Sequence, residues 1–193
     1  MMHRKILGID LSAKDGKSTG FCLIMGNEIL ALGEFKTFSA LKEYIRIVHP
    51  SIVSIDAPLN MPKTGGFRDC DLLLKRHGMS PLPPTMPSMR MLVKRAIELT
   101  RFLENIGVKY IETYPAGAIV ILGFKRKPRS NHERLRVFRE ILRMFGLKTR
   151  YAFRKMSKDE FDAFICGVAG YGYVHGKYVI FSGKECSIIL PKP

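Results

Sequence analysis

The stretch LGIDLSAKDGKSTGFCLI, residues 7–24, runs an apolar strand straight into the carboxylate of Asp10. A small polar segment follows, and then a second apolar strand begins. An acid at the end of a buried strand is costly unless something pairs it. Asp10 therefore either caps the turn or binds something. The same lettering returns further on: Gly8-Ile9-Asp10 is matched by Ser54-Ile55-Asp56. If the two strands are neighbours, both side chains stand at one sheet edge.

Around these two stretches the pattern predicts strands over 4–11, 18–25 and 28–35, joined by turns at Lys14–Lys17 and Gly26-Asn27. Leu41, Tyr44, Ile45 and Val48 recur at helical spacing, so residues 39–48 are predicted as a helix with Ser39 as N-cap, ended by Pro50. Residues 51–56 read as a buried strand and 67–76 as a helix. The Pro-rich segment 78–87 is predicted to be a rigid surface crossing. Ser88 should cap a helix running to Asn105 and closed by Gly107. A strand over 108–113 and a short helix over 115–122, with Pro115 in its first turn, come next. Two capping boxes, Ser130 with Glu133 and Ser157 with Glu160, start helices reaching Phe145 and about residue 174. Strands over 177–182 and 186–190 finish the chain. This order implies a mixed α/β sheet with helices on both faces. A right-handed crossover sets strand 51–56 parallel to strand 4–11, with the carboxyl ends facing a crevice.

The 193 residues suit one domain, 1–193, with 67–107 as a helical insertion. No stretch is long and apolar enough to span a membrane, and the start lacks a signal-peptide pattern. A cytoplasmic protein is expected. Cys22, Cys70, Cys166 and Cys186 form no CxxC pair and read as reduced, mostly buried thiols. The net charge of +15, with a pI near 9.9, points to a polyanionic partner.

Two ionised carboxylates held as close as Asp10 and Asp56 repel unless a cation lies between them, and a hard ion, Mg²⁺ or Mn²⁺, suits oxygen ligands. The competing reading is that each simply caps a strand-to-loop corner. In SKDEFDAFICGVAGYGY, Asp159 and Asp162 lie three apart on one helix face. Asp159 also suits the helix dipole, and Glu160 the capping box. Asp162 has no such role, since Phe161, Ala163, Phe164 and Ile165 surround it in sequence. Glu112, at the end of YIET, either completes the cluster, acts behind it, or bonds a helix N-terminus.

The segment from Phe124 to Lys158 is dense in cations, among them Arg126, Lys127, Arg129, Arg134 and Lys155. Arg136, Arg139 and Arg143 make a basic stripe opposite Leu135, Phe138, Leu142 and Phe145. Phosphates attract such a surface whatever the base sequence. Tyr151 and Phe153 can stack bases if exposed. The bland alternative is a solvated helix face. Positive flanks also solve a physical problem, because an acidic cluster by itself repels a polyanion. Arg68 and Asp71 are expected to pair with each other.

GIDLS, a following Thr-Gly-Phe, SIDAPLNMP, RDCDLLLKRHGM, IETYPAGAIVILG, DEFDAFICGVAG and GKECSIILPKP resemble, in order and spacing, the DUF429 family. That family is classed as predicted nucleases of ribonuclease H-like fold. The resemblance implies a mixed five-stranded ribonuclease H-like sheet, with the last strands as a short C-terminal pair. The arrangement is also similar to the resolvase branch of that fold, with an acid on strand one, an acid on strand four and a D-x-x-D pair on the last core helix. Asp10, Asp56, Asp159 and Asp162 match by position. The fourth-strand acid is Asp where resolvases carry Glu, and the helices between 67 and 105 have no resolvase counterpart. The implied activity is two-metal phosphodiester hydrolysis of DNA or RNA. Independently of the resemblance, the central-strand position of Asp10 makes it the expected bridging ligand, and Glu112 is a candidate catalytic residue that completes the cluster or serves as a base behind it. The alternative is a non-catalytic nucleic-acid-binding module with a silent site. Resolvase-like work would require a homodimer.

Overall fold

A computed structural model describes residues 4–150 and 155–193. The first three strands are β1 (Lys5–Asp10), β2 (Thr19–Met25) and β3 (Glu28–Phe35), followed by helix α1 (Phe38–Val48) and strand β4 (Ile52–Asp56). Helices α2 (Asp69–Arg76) and α3 (Pro87–Asn105) lead into β5 (Lys109–Thr113). Then come α4 (Pro115–Ile121), α5 (Asn131–Phe145), the short β6 (Lys148–Thr149) and α6 (Lys158–Val174). β7 (Tyr178–Ser182) and β8 (Ser187–Pro191) end the chain.

All eight strands join one sheet in the order β6-β3-β2-β1-β4-β5-β8-β7. The meander β1–β2–β3 is antiparallel, whereas β4 pairs parallel to β1 and β5 parallel to β4. The five expected strands are present. The C-terminal pair does not stand apart: β8 docks parallel to β5, so β7 and β8 continue the sheet. The two-residue β6, too short for any periodic signal, pairs with β3.

Alternation along β1 and β4 assigns the faces. Leu7, Ile9, Val53 and Ile55 are buried with residues of α1 and α3, among them Leu41, Ile45, Ala96 and Leu99. Ile6 and Ile52 face the other way, toward α5 and α6. α6 is buried from Phe161 to Gly172 and lies hard against the sheet. A Cβ at Gly8 would collide with the backbone of Gly167, and one at Gly20 with the carbonyl of Asp159. Small residues on both sides let helix and sheet backbones meet.

Both expected capping boxes form, at Ser130 with Glu133 and at Ser157 with Glu160. Two other caps are corrected. Thr37, not Ser39, caps α1, its hydroxyl accepting from the Ala40 N–H. Ser88 caps nothing, because α3 starts one residue earlier on Pro87, whose fixed φ suits the first helical position. The expectation of four thiols is also corrected. Cys70 and Cys186, 116 residues apart in sequence, form a disulfide with their Cα atoms 5.7 Å apart. Cys22 and Cys166 are free and buried. The pairing joins the start of α2 to the β7–β8 turn, a proximity that only the folded sheet creates. Among the described residues, no helix is long and apolar enough to cross a membrane.

Candidate metal centre

β1 and β4 pair residue for residue: Gly8 with Ser54, Ile9 with Ile55, and Asp10 with Asp56. Both aspartates end their strands, and alternation turns both toward α6. Four residues into that helix stands Asp162, only 2% exposed. Its Oδ2 accepts a hydrogen bond from Lys127 Nζ at 2.5 Å, while its buried Oδ1 has no partner. Burial pushes the Asp10 carboxyl far above the usual carboxylate range, and the charges of Asp56, Asp162 and Asp159 push it further. Asp56 is raised by burial and by Asp162. Lys127 pulls both back, and its own ammonium is held charged by Asp162 despite partial burial. One helical turn beyond Asp162, the Cys166 thiol is kept protonated by burial and by the same three acids.

Asp159 sits in the first turn of α6, half-buried, its carboxyl raised by burial and by Glu34 as well as by Asp162. It stands on the β3 side of the cluster. Ser157 fixes this end of the helix, accepting from the Glu160 N–H at 3.0 Å and donating to Glu34 Oε1 at 2.5 Å.

Glu112 is placed differently. In β5 the residue level with Asp10 and Asp56 is Thr113, and Glu112 is paired with Ile55. One residue out of step means the opposite face of the sheet. There the buried Arg68 guanidinium donates to both Glu112 oxygens, at 2.7 and 2.5 Å, and the Leu59 N–H adds a third bond. Arg68 also grips Asp71 through Nε and Nη2, at 3.0 and 2.8 Å, which is the expected pair. Glu112 and Asp71 thus form a closed ionic knot around Arg68, with the Glu112 oxygens committed to it. No local pattern around Arg68 indicates that it reaches across to β5.

Two openings flank the acids. On one side a cavity of about 370 Å³ is lined by Asp10, Asp56 and mainly apolar side chains, including Leu82 and Met89 from the Pro-rich crossing and α3. That crossing is therefore a wall of the site as well as a connection. On the other side a groove beside Asp162 is lined by Arg126, Lys127, Arg129, Arg134 and Lys158. Arg126 is paired there with Glu133 at 2.9 Å. Arg136, Arg139 and Arg143 are exposed along α5 but do not line this groove, and Lys155 is exposed before α6. Tyr151 and Phe153 lie outside the described residues.

Asp10, Asp56 and Asp162 suit a hard divalent cation: three desolvated carboxylates, one with an unpartnered buried oxygen. They are not drawn tightly together. Among the described residues, only Asp69, Cys70 and Cys186 bring three ligand atoms within 4.8 Å of one another, and those two sulfurs are bonded to each other.

Residues 8–185 match a family described as "Protein of unknown function (DUF429)". No curated protein matches the chain. Among solved structures, the chain is similar to RuvC of T. thermophilus in complex with a Holliday junction substrate. The TM-score is 0.50 and the identity 13%, over 88% of this chain and 96% of that one. A second Thermus thermophilus RuvC structure gives a TM-score of 0.47 and 12% identity, over 89% and 96%. At this identity the likeness shows the fold, which is ribonuclease H-like.

Proposed function

This chain belongs to the DUF429 family, and from the acids that its ribonuclease H-like fold gathers we propose that it is a metal-dependent nuclease acting on DNA or RNA. The observation that carries the proposal is the in-register Asp10–Asp56 pair facing buried Asp162, set beside a groove of cations. The RuvC of similar fold, bound to a Holliday junction, supports nucleic acid as the partner.

In this reading Asp10, on the central strand, would hold Mg²⁺ or Mn²⁺ together with Asp56, Asp162 and Asp159. Such ions, when bound, activate a water and stabilise the leaving oxygen. The chain's own groups do the rest. Arg129, Arg134 and Lys158 hold the phosphate backbone against the acids. Lys127, paired with Asp162 and lining the groove, would be released to contact phosphate were Asp162 to serve a metal instead. The Arg68 knot keeps Glu112 out of the ion cluster and braces the end of β5.

One observation favours a second reading. Lys127 already neutralises Asp162, as it would in a nucleic-acid-binding module whose site is silent. The test is incubation of single-stranded and duplex DNA and RNA with the protein in Mg²⁺ or Mn²⁺. Cleavage by the native chain, lost by at least 10²-fold in Asp10→Asn on the scale of one removed catalytic group, is expected. Tight binding without cleavage in either metal would sustain the silent-site reading instead.

A further inference from the structure

We propose that the cavity beside Asp10 and Asp56 receives one unpaired nucleobase, so that the substrate is cut next to a nucleotide that is unstacked. The inference rests on the nuclease reading and names the substrate class of that site.

The division of chemistry across the acids is the starting point. The groove on the Asp162 side is cationic and suits phosphates. The cavity on the opposite side is walled by Leu11, Pro58, Leu82, Met89, Leu92 and Tyr114. Its charged lining offers an anion little: Arg68, Asp71 and Glu112 are hydrogen-bonded to one another, Asp10 and Asp56 are acids, and Lys158 is shared with the cationic groove. A phosphate is therefore better served in the groove, while a neutral, flat group entering the cavity meets mainly apolar side chains. At about 370 Å³ the cavity is of small-ligand size.

Position then selects the group. Asp10 and Asp56 line this cavity too, so a phosphate brought to them by a metal has its own nucleotide at the cavity mouth. Lys158 lines both openings, on the path from phosphate to base. The wall is also held in place. The Tyr114 hydroxyl donates to the Ser80 carbonyl at 3.1 Å, tying the aromatic residue to the Pro-rich crossing. Proline-fixed backbone at Pro81, Pro83 and Pro84 leaves that wall little freedom to lose on binding. A base inside a duplex cannot reach such a pocket without leaving its stack.

The test uses the intact protein in chelator, so that nothing is cut, with oligonucleotides carrying the fluorescent base 2-aminopurine at successive positions. Single strands should bind at least about tenfold more tightly than the matched duplex, in line with the strength of base stacking on protein walls. The fluorescence should change at one position only. Met89→Trp, which fills the cavity from a half-buried site, should abolish that positional signal and the single-strand preference while leaving duplex affinity unchanged. Leu82→Asp, at an exposed position of the crossing, should weaken single-strand binding in the same selective way, and circular dichroism verifies that each variant is folded. Equal affinity for duplex and single strand, with no response to either variant, would overturn the base pocket. Metal-dependent cleavage of duplex persisting beside that result would leave the nuclease reading standing. Cavity-dependent binding of single strands without cleavage in any metal would support the pocket and remove the nuclease.

Discussion

Asp162 shows most plainly how a single residue is held against its own preference. It is buried, one oxygen is unpartnered, and the other leans on Lys127. Lys127→Met should leave a nearly buried charge unpaired and destabilise the metal-free protein by about 1–3 kcal/mol. The same change should tighten Mn²⁺ uptake, because no tethered ammonium competes. Thermal melts with and without Mn²⁺ measure both, and unchanged Mn²⁺ affinity would show that Lys127 does not occupy the ion's place. Asp10 behaves in the opposite sense. Its carboxyl is raised in the fold above its unfolded value of about 3.9. The unfolded chain therefore sheds that proton first, and stability falls as pH climbs from about 4 toward the raised value. Asp10→Asn should accordingly raise the metal-free melting temperature at pH 7 by about 2–4 °C for each kcal/mol recovered. It should give no gain near pH 4, and Mn²⁺ should no longer stabilise it. A melting temperature that drops at pH 7 would contradict this account.

Among the elements, α6 and β1 decide the site together. Asp162 is carried to the side of Asp10 and Asp56 because the helix can touch the sheet, and it can touch because Gly8 faces Gly167. Gly8→Ala should force the two backbones apart and cost at least about 1–3 kcal/mol, the usual range for overpacking. The urea midpoint should fall by that amount, with Mn²⁺ uptake weakened in parallel. A midpoint within error of native would mean that α6 has slack that the packing does not show. The same element scale explains what patterns could reveal. The twin sequences ending in Asp10 and Asp56 announced neighbouring strands in matching register, and both S-x-x-E boxes announced helix starts, because each signal is local. Glu112 was open to several readings for the opposite reason. Its role depends on strand parity, and parity becomes visible only when β5 is laid beside β4.

For the molecule as a whole, charge is the dominant fact. A net +15 makes binding to a polyanion electrostatic in the main. The logarithm of the affinity for an oligonucleotide should fall linearly with the logarithm of the salt concentration. Arg129→Ala, in the groove beside Asp162, should lower the slope by about 1. Arg136→Ala, on the exposed stripe outside the groove, should lower it less. Equal slopes for the two variants, measured by anisotropy titration at several salt concentrations, would mean that the nucleic acid tracks α5 instead. The Cys70–Cys186 disulfide belongs to this scale as well. It ties α2 to the far end of the sheet, close to Asp69, which accepts from the backbone of Glu185 at 3.0 Å.

The amino-acid order by itself determined the strand succession, the two matched acids, the buried acid on the last core helix and the excess of positive charge. These depend on neighbours within a few residues or on totals, and local periodicity records both. Tertiary structure alone decided that Lys127 clamps Asp162, that Arg68 takes Glu112, that Cys70 finds Cys186 and that a Pro-rich crossing walls a cavity. Each of these joins residues from 35 to 116 positions apart. Such contacts arise from the geometry of the assembled sheet and its helices, and no spacing along the chain encodes them.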